Sequence, residues 1–440
     1  MSRVRRIKNV LQEFSIPLII GVVAGLIVAN VDEKFYKQIV EWRFLGEHAV
    51  FLGHHIDLKF VINDIFMVLF FGIAAKEITE SILPGGALNP PSKAINPLLG
   101  TLGGVLGPVV FFFIFIAVLM PDVDMNAMGI AFQAPDEKLY ASGDIVFRGW
   151  GIPTATDIAL AWLVAKVVFG GNHPAVGFLL LLAVADDAIG LGIIAVFYPS
   201  PEHPPAPVWL GLVFLGMVVS YLLRRKNVQK WTLYIFFGGL LSWLGLIMAH
   251  LHPALALVPI VPSLPGPKRD YGLYMSPDDD EDTEDHEDHS HAPHHAHSPL
   301  EEFEHQLKTF VDFGLFFFAF INAGVAFSGI GEITFVILGA LLVGKTVGIF
   351  LFSWVGSLLG FPLPEGMRAK HLFVAGIIAG LGLTVALFVA GEAYPNKGLA
   401  MSFQGPAKMG AVFSAGAAFI AIIFGKILRV HQKHDAPKDS

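Results

Sequence analysis

The 440-residue chain contains no cysteine, which excludes disulfides, thiolate metal sites and cysteine nucleophiles, and leaves redox silent about compartment. Charge is scarce as well: Asp, Glu, Lys and Arg make up 15% of the residues against 54% hydrophobic. A soluble protein of this length meets water on every side and carries far more polar surface. The formal net charge of −8 is itself local, because nine acidic residues lie between Asp278 and Asp288 and the remainder sums to about +1 (−8 + 9). With no basic face, nucleic acid is excluded as a partner.

What the chain has instead is long apolar blocks, such as 14–31, 100–120 and 333–352. Each approaches the ~20 residues that a helix needs to cross roughly 30 Å of hydrocarbon. Spans are predicted at 14–31, 59–81, 96–120, 150–169, 174–198, 208–223, 231–250, 252–264, 308–329, 333–358, 371–391 and 408–428. The eighth is short and bounded by Pro253 and Pro262, so a total of eleven stays open. Arg3, Arg5, Arg6 and Lys8 resemble the start of a signal peptide, but the following block is long and lacks a small-residue cleavage site, so it is kept as the first span.

An even number of spans puts both termini on one side. That side collects the N-terminal cluster, Lys93, the Arg224–Lys230 group, Lys268, Arg269, Arg368, Lys370, Arg429 and Lys433. The other side holds chiefly Lys34, Lys37, Arg43, Lys138, Arg148 and Lys397. The asymmetry places both termini in the cytoplasm. The chain then divides into spans one to eight (1–264), a polar segment (265–299), spans nine to twelve (300–430) and a cytoplasmic tail (431–440). The segment 265–299 is acidic and rich in histidine, with too few apolar residues to fold alone, and reads as a disordered cytoplasmic loop. A solvated linker and a divalent-metal binder both fit it.

Ionisable residues inside apolar spans carry the functional information, since burying one costs about 2.5–3.5 kcal/mol even on the most lenient scale. Asp64, Asp157, Asp186, Asp187 and Lys345 are such residues. Asp186 and Asp187 are adjacent midway along the fifth span, and helix neighbours point about 100° apart. Two carboxylates held out of water do not both stay charged cheaply, so protons and cations compete for them. Asp157 sits in Gly151-Ile-Pro-Thr-Ala-Thr-Asp157, where Pro153 removes a backbone donor and the threonines can re-satisfy freed groups. This reads as the break of a discontinuous helix whose exposed ends make an ion site. A second interrupted stretch, Gly376-Ile-Ile-Ala-Gly-Leu-Gly-Leu-Thr384, lies in the eleventh span, and the two point to inverted repeats crossing at mid-membrane. Lys345, in the tenth span, needs a carboxylate partner, and the aspartate pair is the natural one; a purely structural ion pair stays open.

Taken together, Ile62-Asn-Asp64, Ala155-Thr-Asp-Ile-Ala159, Ala185-Asp-Asp187, Asn322-Ala-Gly-Val325 and Gly344-Lys345 resemble the NhaA family of sodium/proton antiporters, in the same order across nearly the whole chain. The resemblance implies an all-α fold of twelve transmembrane helices with inverted repeats, the fourth and eleventh broken and crossing. It implies electrogenic exchange of cytoplasmic sodium or lithium for external protons, for sodium and pH homeostasis, in the bacterial inner membrane and as a homodimer. Nothing beyond the transported ions and protons and the lipid bilayer is needed, and no cofactor. Carried over by position, Asp186 and Asp187 match the essential pair, with Asp187 the direct cation ligand, and Lys345 pairs with Asp186. Thr156 and Asp157 match the broken-helix ion-binding residues. Asp64 matches a carboxylate of the cytoplasmic funnel, and Glu77, His252, Glu304 and His305 match parts of a pH-responsive cluster. That cluster is thinned here by Ile78, Thr79 and Ser81, and a nearby histidine is replaced by Lys308.

Other functions fare less well. A divalent-metal/proton exporter would use the histidine-rich loop, but its membrane site would favour histidine, which is missing from the span centres. An aspartyl hydrolase needs two carboxylates facing one another across separate helices, whereas Asp186 and Asp187 diverge. An organic anion would be repelled by a buried acidic pair.

Overall fold

The computed structural model describes residues 15–46, 50–51, 54–83, 86, 91–133, 137–171, 173–199, 206–266 and 298–431. The N-terminal basic cluster, residues 267–297 of the acidic segment and residues 432–440 of the tail lie outside the described residues. Regular structure among them is helical, apart from one antiparallel pair of two-residue strands, β1 (Val50–Phe51) and β2 (His54–His55).

The helices run α1 (Ile16–Val31), α2 (Glu33–Val40), α3 (Leu58–Ile82) and α4 (Pro91–Leu119). A 3-10 arm, Gly143–Thr154, then leads into α5 (Ile158–Phe169), α6 (Pro174–Phe197), α7 (Leu210–Arg225) and α8 (Trp231–Met248). Last come α9 (Pro299–Ala323), α10 (Glu332–Leu358), α11 (Ala369–Ala379), α12 (Leu383–Ala393) and α13 (Ala400–Ile427). Seven of the described helices are long and apolar enough to cross a membrane. Counting each of two bent pairs as one span makes nine: the 3-10 arm with α5, bent by 52°, and α11 with α12, bent by 48°.

Three boundaries depart from the hydropathy reading for one reason. The arm starts at Gly143, α9 at Pro299 and α13 at Ala400, each seven to nine residues before the predicted span. Hydropathy stops at Arg148, Glu304 and Lys408, but each of these finds a polar partner inside the fold and the helix continues through it. The eighth predicted span, 252–264, is not a continuous helix. It folds as two 3-10 turns, Pro253–Leu255 and Val261–Ser263, joined by further turns. Pro253 and Pro262 supply no amide proton, which limits any α-helical ladder there.

The described chain forms two compact units. One takes the described residues of 65–94 and 205–311, with a core of Ala75, Tyr234, Leu257, Val261, Leu264, Leu300 and Phe303. The turns of 252–264 thus contribute three core residues without forming a continuous helix. The other unit takes the described residues of 1–64, 95–204 and 312–440, and it contains both bent pairs. Within it α4 and α10 cross at backbone contact. A Cβ on Gly103 would lie 2.1 Å from the carbonyl oxygen of Gly348, and one on Gly107 2.3 Å from that of Gly344. Two glycine pairs four residues apart therefore allow the approach, in the manner of small-residue packing between membrane helices.

Candidate functional site

Lys345 follows directly on that crossing. The turn before it, Ala340–Gly344, is a π-turn, which widens α10 by a residue. The widened backbone reaches the break between α11 and α12, where a Cβ on Gly380 would lie 2.9 Å from Leu341 O. At that break Gly380-Leu-Gly382 gives up helix propensity and also leaves room: a Cβ on Gly382 would sit 2.6 Å from the Leu341 side chain and 3.2 Å from Ala155 O. The second break is made by Pro153 at the end of the 3-10 arm, where Thr154 Oγ1 donates to Gly151 O at 2.8 Å.

The two breaks interlock. Asp157 N–H donates to Leu381 O at 2.6 Å. The Asp157 carboxylate caps its own half-helix α5, Oδ1 accepting from Leu160 N–H at 3.2 Å. Its Oδ2 accepts from Thr384 Oγ1 at 2.9 Å and from Thr384 N–H at 3.3 Å. One buried carboxylate thus neutralises the positive amino ends of two half-helices, α5 and α12.

Beside it the remaining charges converge. Lys345 Nζ donates to Thr156 Oγ1 at 2.7 Å and is hydrogen-bonded to Asp186 Oδ2. The Thr156 hydroxyl lies 2.8 Å from the same Asp186 oxygen and 3.0 Å from Ala379 O, the last carbonyl of α11. Lys345 and Asp186 are 0% exposed. A fully buried cation is therefore matched to one carboxylate oxygen, one hydroxyl and the negative end of a half-helix. The other Asp186 oxygen, Oδ1, is buried and accepts no hydrogen bond. Asp187, also buried, follows on α6 within electrostatic reach of Lys345. Such a site sets one positive charge beside two carboxylates, so one carboxylate charge is left for a proton or a second cation to neutralise.

Of the residues singled out from sequence, Thr156, Asp157, Asp186, Asp187 and Lys345 are thus brought together. Asp64 is not among them: it lies in a π-turn, 61–66, near the start of α3. Glu77 lies thirteen residues further along α3, near its other end. Near the end of α3 the organising residue is one that sequence reading passed over, Lys76. It pairs with Glu80 Oε2 at 2.7 Å and with Glu304 of α9, and Lys308 holds the second Glu304 oxygen at 3.1 Å. The Lys76–Glu80 spacing of four residues was the available signal. Glu77 is half-buried in this cluster and His305 is exposed beside it. His252 is buried, its Nδ1 accepting from Ala254 N–H at 3.3 Å to cap the turn after it. Arg148, assigned from sequence to an outer flank, is in fact buried, donating to Gln133 O at 2.6 Å and Phe197 O at 2.5 Å over the Tyr198 ring. Lys408 is likewise buried, 3.3 Å from Asn322 Oδ1, and Asn322 Nδ2 donates to Asn63 Oδ1 at 2.9 Å. No cluster of three or more metal-ligating side chains occurs among the described residues.

The model of the family described as "Na+/H+ antiporter 1" matches residues 7–136 and 138–428. The chain belongs to the NhaA family of sodium/proton antiporters. An NhaA antiporter of Desulfitobacterium hafniense is 52% identical over 436 residues, covering 99% of each chain. Another NhaA antiporter, from Geobacter sulfurreducens, is 50% identical over 424 residues, covering 96% of this chain and 98% of its own. These NhaA relatives are named as antiporters, which are transporters rather than enzymes. With the apolar helices, they make this NhaA chain a multi-pass membrane protein.

Proposed function

We propose that this protein exchanges cytoplasmic sodium or lithium for external protons, with Asp186, Asp187 and Lys345 carrying the exchange. The observation behind this reading is the buried Lys345–Asp186 pair beside Asp187, at the crossing of two broken helices. A sodium ion reaching Asp187 adds positive charge next to an ammonium already bonded to Asp186. Lys345 and sodium then compete for the same carboxylate charge, and protons leave as the ion binds. When more than one proton leaves per ion, turnover moves net charge, and the membrane potential drives it. The coupled groups titrate as a unit, so no step belongs to a single residue. Thr156, bonded to both Asp186 and Lys345, is the neutral ligand that reports which of them is engaged. Asp157, with both oxygens accepting hydrogen bonds, serves as the fixed charge that holds the crossing.

In this reading the bent pairs are the fourth and eleventh of twelve spans in the bacterial inner membrane, with both termini cytoplasmic and the protein a homodimer. Sodium and pH homeostasis follow as its role. The divalent-metal exporter has no support: the curated relatives are named for sodium and protons.

The test is purified protein in proteoliposomes with an internal pH-sensitive dye, challenged with sodium, lithium, potassium or zinc. Sodium and lithium should move protons, and Asp187→Asn should abolish this while the protein stays folded, because an amide neither ionises nor releases a proton. Wild-type exchange in the mutant, or a response to zinc alone, overturns the assignment.

A further inference from the structure

Two histidines outside the cation site are buried against each other. His173 is the N-cap of α6, the helix that bears Asp186 and Asp187, and its Nδ1 accepts from Ala175 N–H at 3.0 Å. His371 lies in the first turn of α11, and its Nδ1 accepts from Arg368 N–H at 3.0 Å. The ring centroids are 4.6 Å apart at 64°, and Phe169 stacks on His173 at 5.5 Å. A ring nitrogen that accepts a backbone proton carries none of its own, so both rings are neutral in this arrangement.

Protonation acts against the pair in three ways at once. A protonated Nδ1 turns from acceptor into donor and the cap is lost. A cation then stands at a helix amino end, where the dipole is positive. Two charged rings would also face each other at contact distance. The surroundings add to the effect. Charged groups on the elements packed around the pair are Lys166 of α5, Glu365 and Arg368 before α11, Lys370 of α11, and Lys426, Arg429 and His431 at the end of α13. Lys370 is held in place by Leu428 O and Arg429 O, at 3.1 and 2.8 Å. The acidic groups on these elements are Glu365 and, roughly 20 Å further along α5 and α6, Asp157, Asp186 and Asp187.

We propose that His173 and His371 form a proton-sensitive latch, joining the amino ends of α6 and α11 when both rings are neutral and releasing them on acidification. The latch bears on transport because the same two elements meet again at the site, where Thr156 bridges Asp186 of α6 and Ala379 O of α11. Freeing their amino ends loosens that bridge, so sodium binds more weakly. Burial first, and then the Lys370 charge, hold His173 below the ordinary histidine value of 6.5. The sign follows: a depressed value means the latched state binds fewer protons than the open one. The latch is therefore at full strength above 6.5 and weakens as pH falls through the window below it.

The inference rests on the exchange reading, and the experiment separates the two. Asparagine caps a helix without titrating. Sodium-driven proton release in proteoliposomes should therefore persist in His173→Asn/His371→Asn. The apparent sodium KM of that variant should rise less on acidification than that of the wild type, by about fivefold, the equivalent of one lost N-cap. Direct proton competition at the aspartates affects both proteins alike and cancels. A wild-type pH profile in an active double mutant overturns the latch. If the wild type itself moves no sodium, or the mutant misfolds, the latch is read by hydrogen exchange of the unmodified protein. Protection of the Ala175 and Arg368 amides, corrected for intrinsic rate, should fall between pH about 8 and about 5.5. Unchanged protection overturns the latch.

Discussion

Replacing Lys345 with methionine isolates the energetics of the site. The side chain keeps its length but loses its charge, leaving Asp186 fully buried with Thr156 as its hydrogen-bond donor. At a contact of roughly 3 Å and an effective dielectric of about 20, the lost attraction is about 5 kcal/mol. Breaking a buried pair from one side costs about 3–5 kcal/mol in practice, because the surviving charge has no counter-ion. The two figures agree, so Lys345→Met should lose about 3–5 kcal/mol of stability. Asp186→Asn should also lose stability, by stranding the lysine. The double mutant should recover most of the loss, since replacing both partners of a buried pair is often near neutral. The assay is equilibrium unfolding in mixed micelles of the four proteins, analysed as a double-mutant cycle. A coupling energy of about 2 kcal/mol or more is expected. If Lys345→Met unfolds with the wild type, or the two losses simply add to within about 0.5 kcal/mol, the pair is not coupled and the account of the site is wrong.

The role of Lys345 in turnover is separable from its role in stability: in Lys345→Gln, exchange should lose its dependence on imposed voltage even where sodium still moves, and a fully voltage-driven mutant would show that the lysine carries no proton. Gly348→Ala should destabilise the α4–α10 crossing by about 1–3 kcal/mol, because its Cβ would stand 2.0 Å from Gly103 O. Gly177→Ala, whose Cβ meets nothing within 4 Å, should leave thermal unfolding unchanged or slightly raised. Deleting Asp278 to His297 should leave sodium exchange in proteoliposomes intact, since so acidic a tract has no apolar surface to contribute to the spans; lost exchange in a well-inserted deletion protein would place the tract in the mechanism.

The charges at the centre of the site were legible because they contradict their surroundings. An aspartate pair inside Leu179–Ile194, or a lysine after Gly344, stands out on hydropathy alone. Buried charges that sit near a span end were not legible. Arg148, Lys76 and Lys408 look like ordinary flanking residues until their partners are known: carbonyls of Gln133 and Phe197, Glu304, and Asn322. Each partner lies on another element, and no local window contains it. The same limit hid the π-turns, whose only sequence trace at 340–344 is a closing glycine. The Gly103–Gly107 and Gly344–Gly348 spacings were passed over in the sequence, and the structure pairs them with each other.

Asp157 shows most clearly what the third dimension adds. In sequence it is the cap of one interrupted helix, and the Gly380-Leu-Gly382 stretch is a separate interruption more than two hundred residues away. In the fold they are one object, because a single carboxylate caps α5 and binds both polar groups of Thr384 at the start of α12. Neither break is satisfied without the other. At the carbonyl end of α11, Ala379 O lies 3.0 Å from the Thr156 hydroxyl, and Lys345 supplies the nearby positive charge. Helix ends that water would screen at a protein surface are here neutralised by one anion and one cation, with Thr156 and Thr384 as the hydroxyl links. The cation of that pair is the one that, in the proposed exchange, competes with an arriving sodium ion. In the proposed exchange, transport and the integrity of the crossing draw on the same charge, so an ion at Asp187 would also be felt at the crossing.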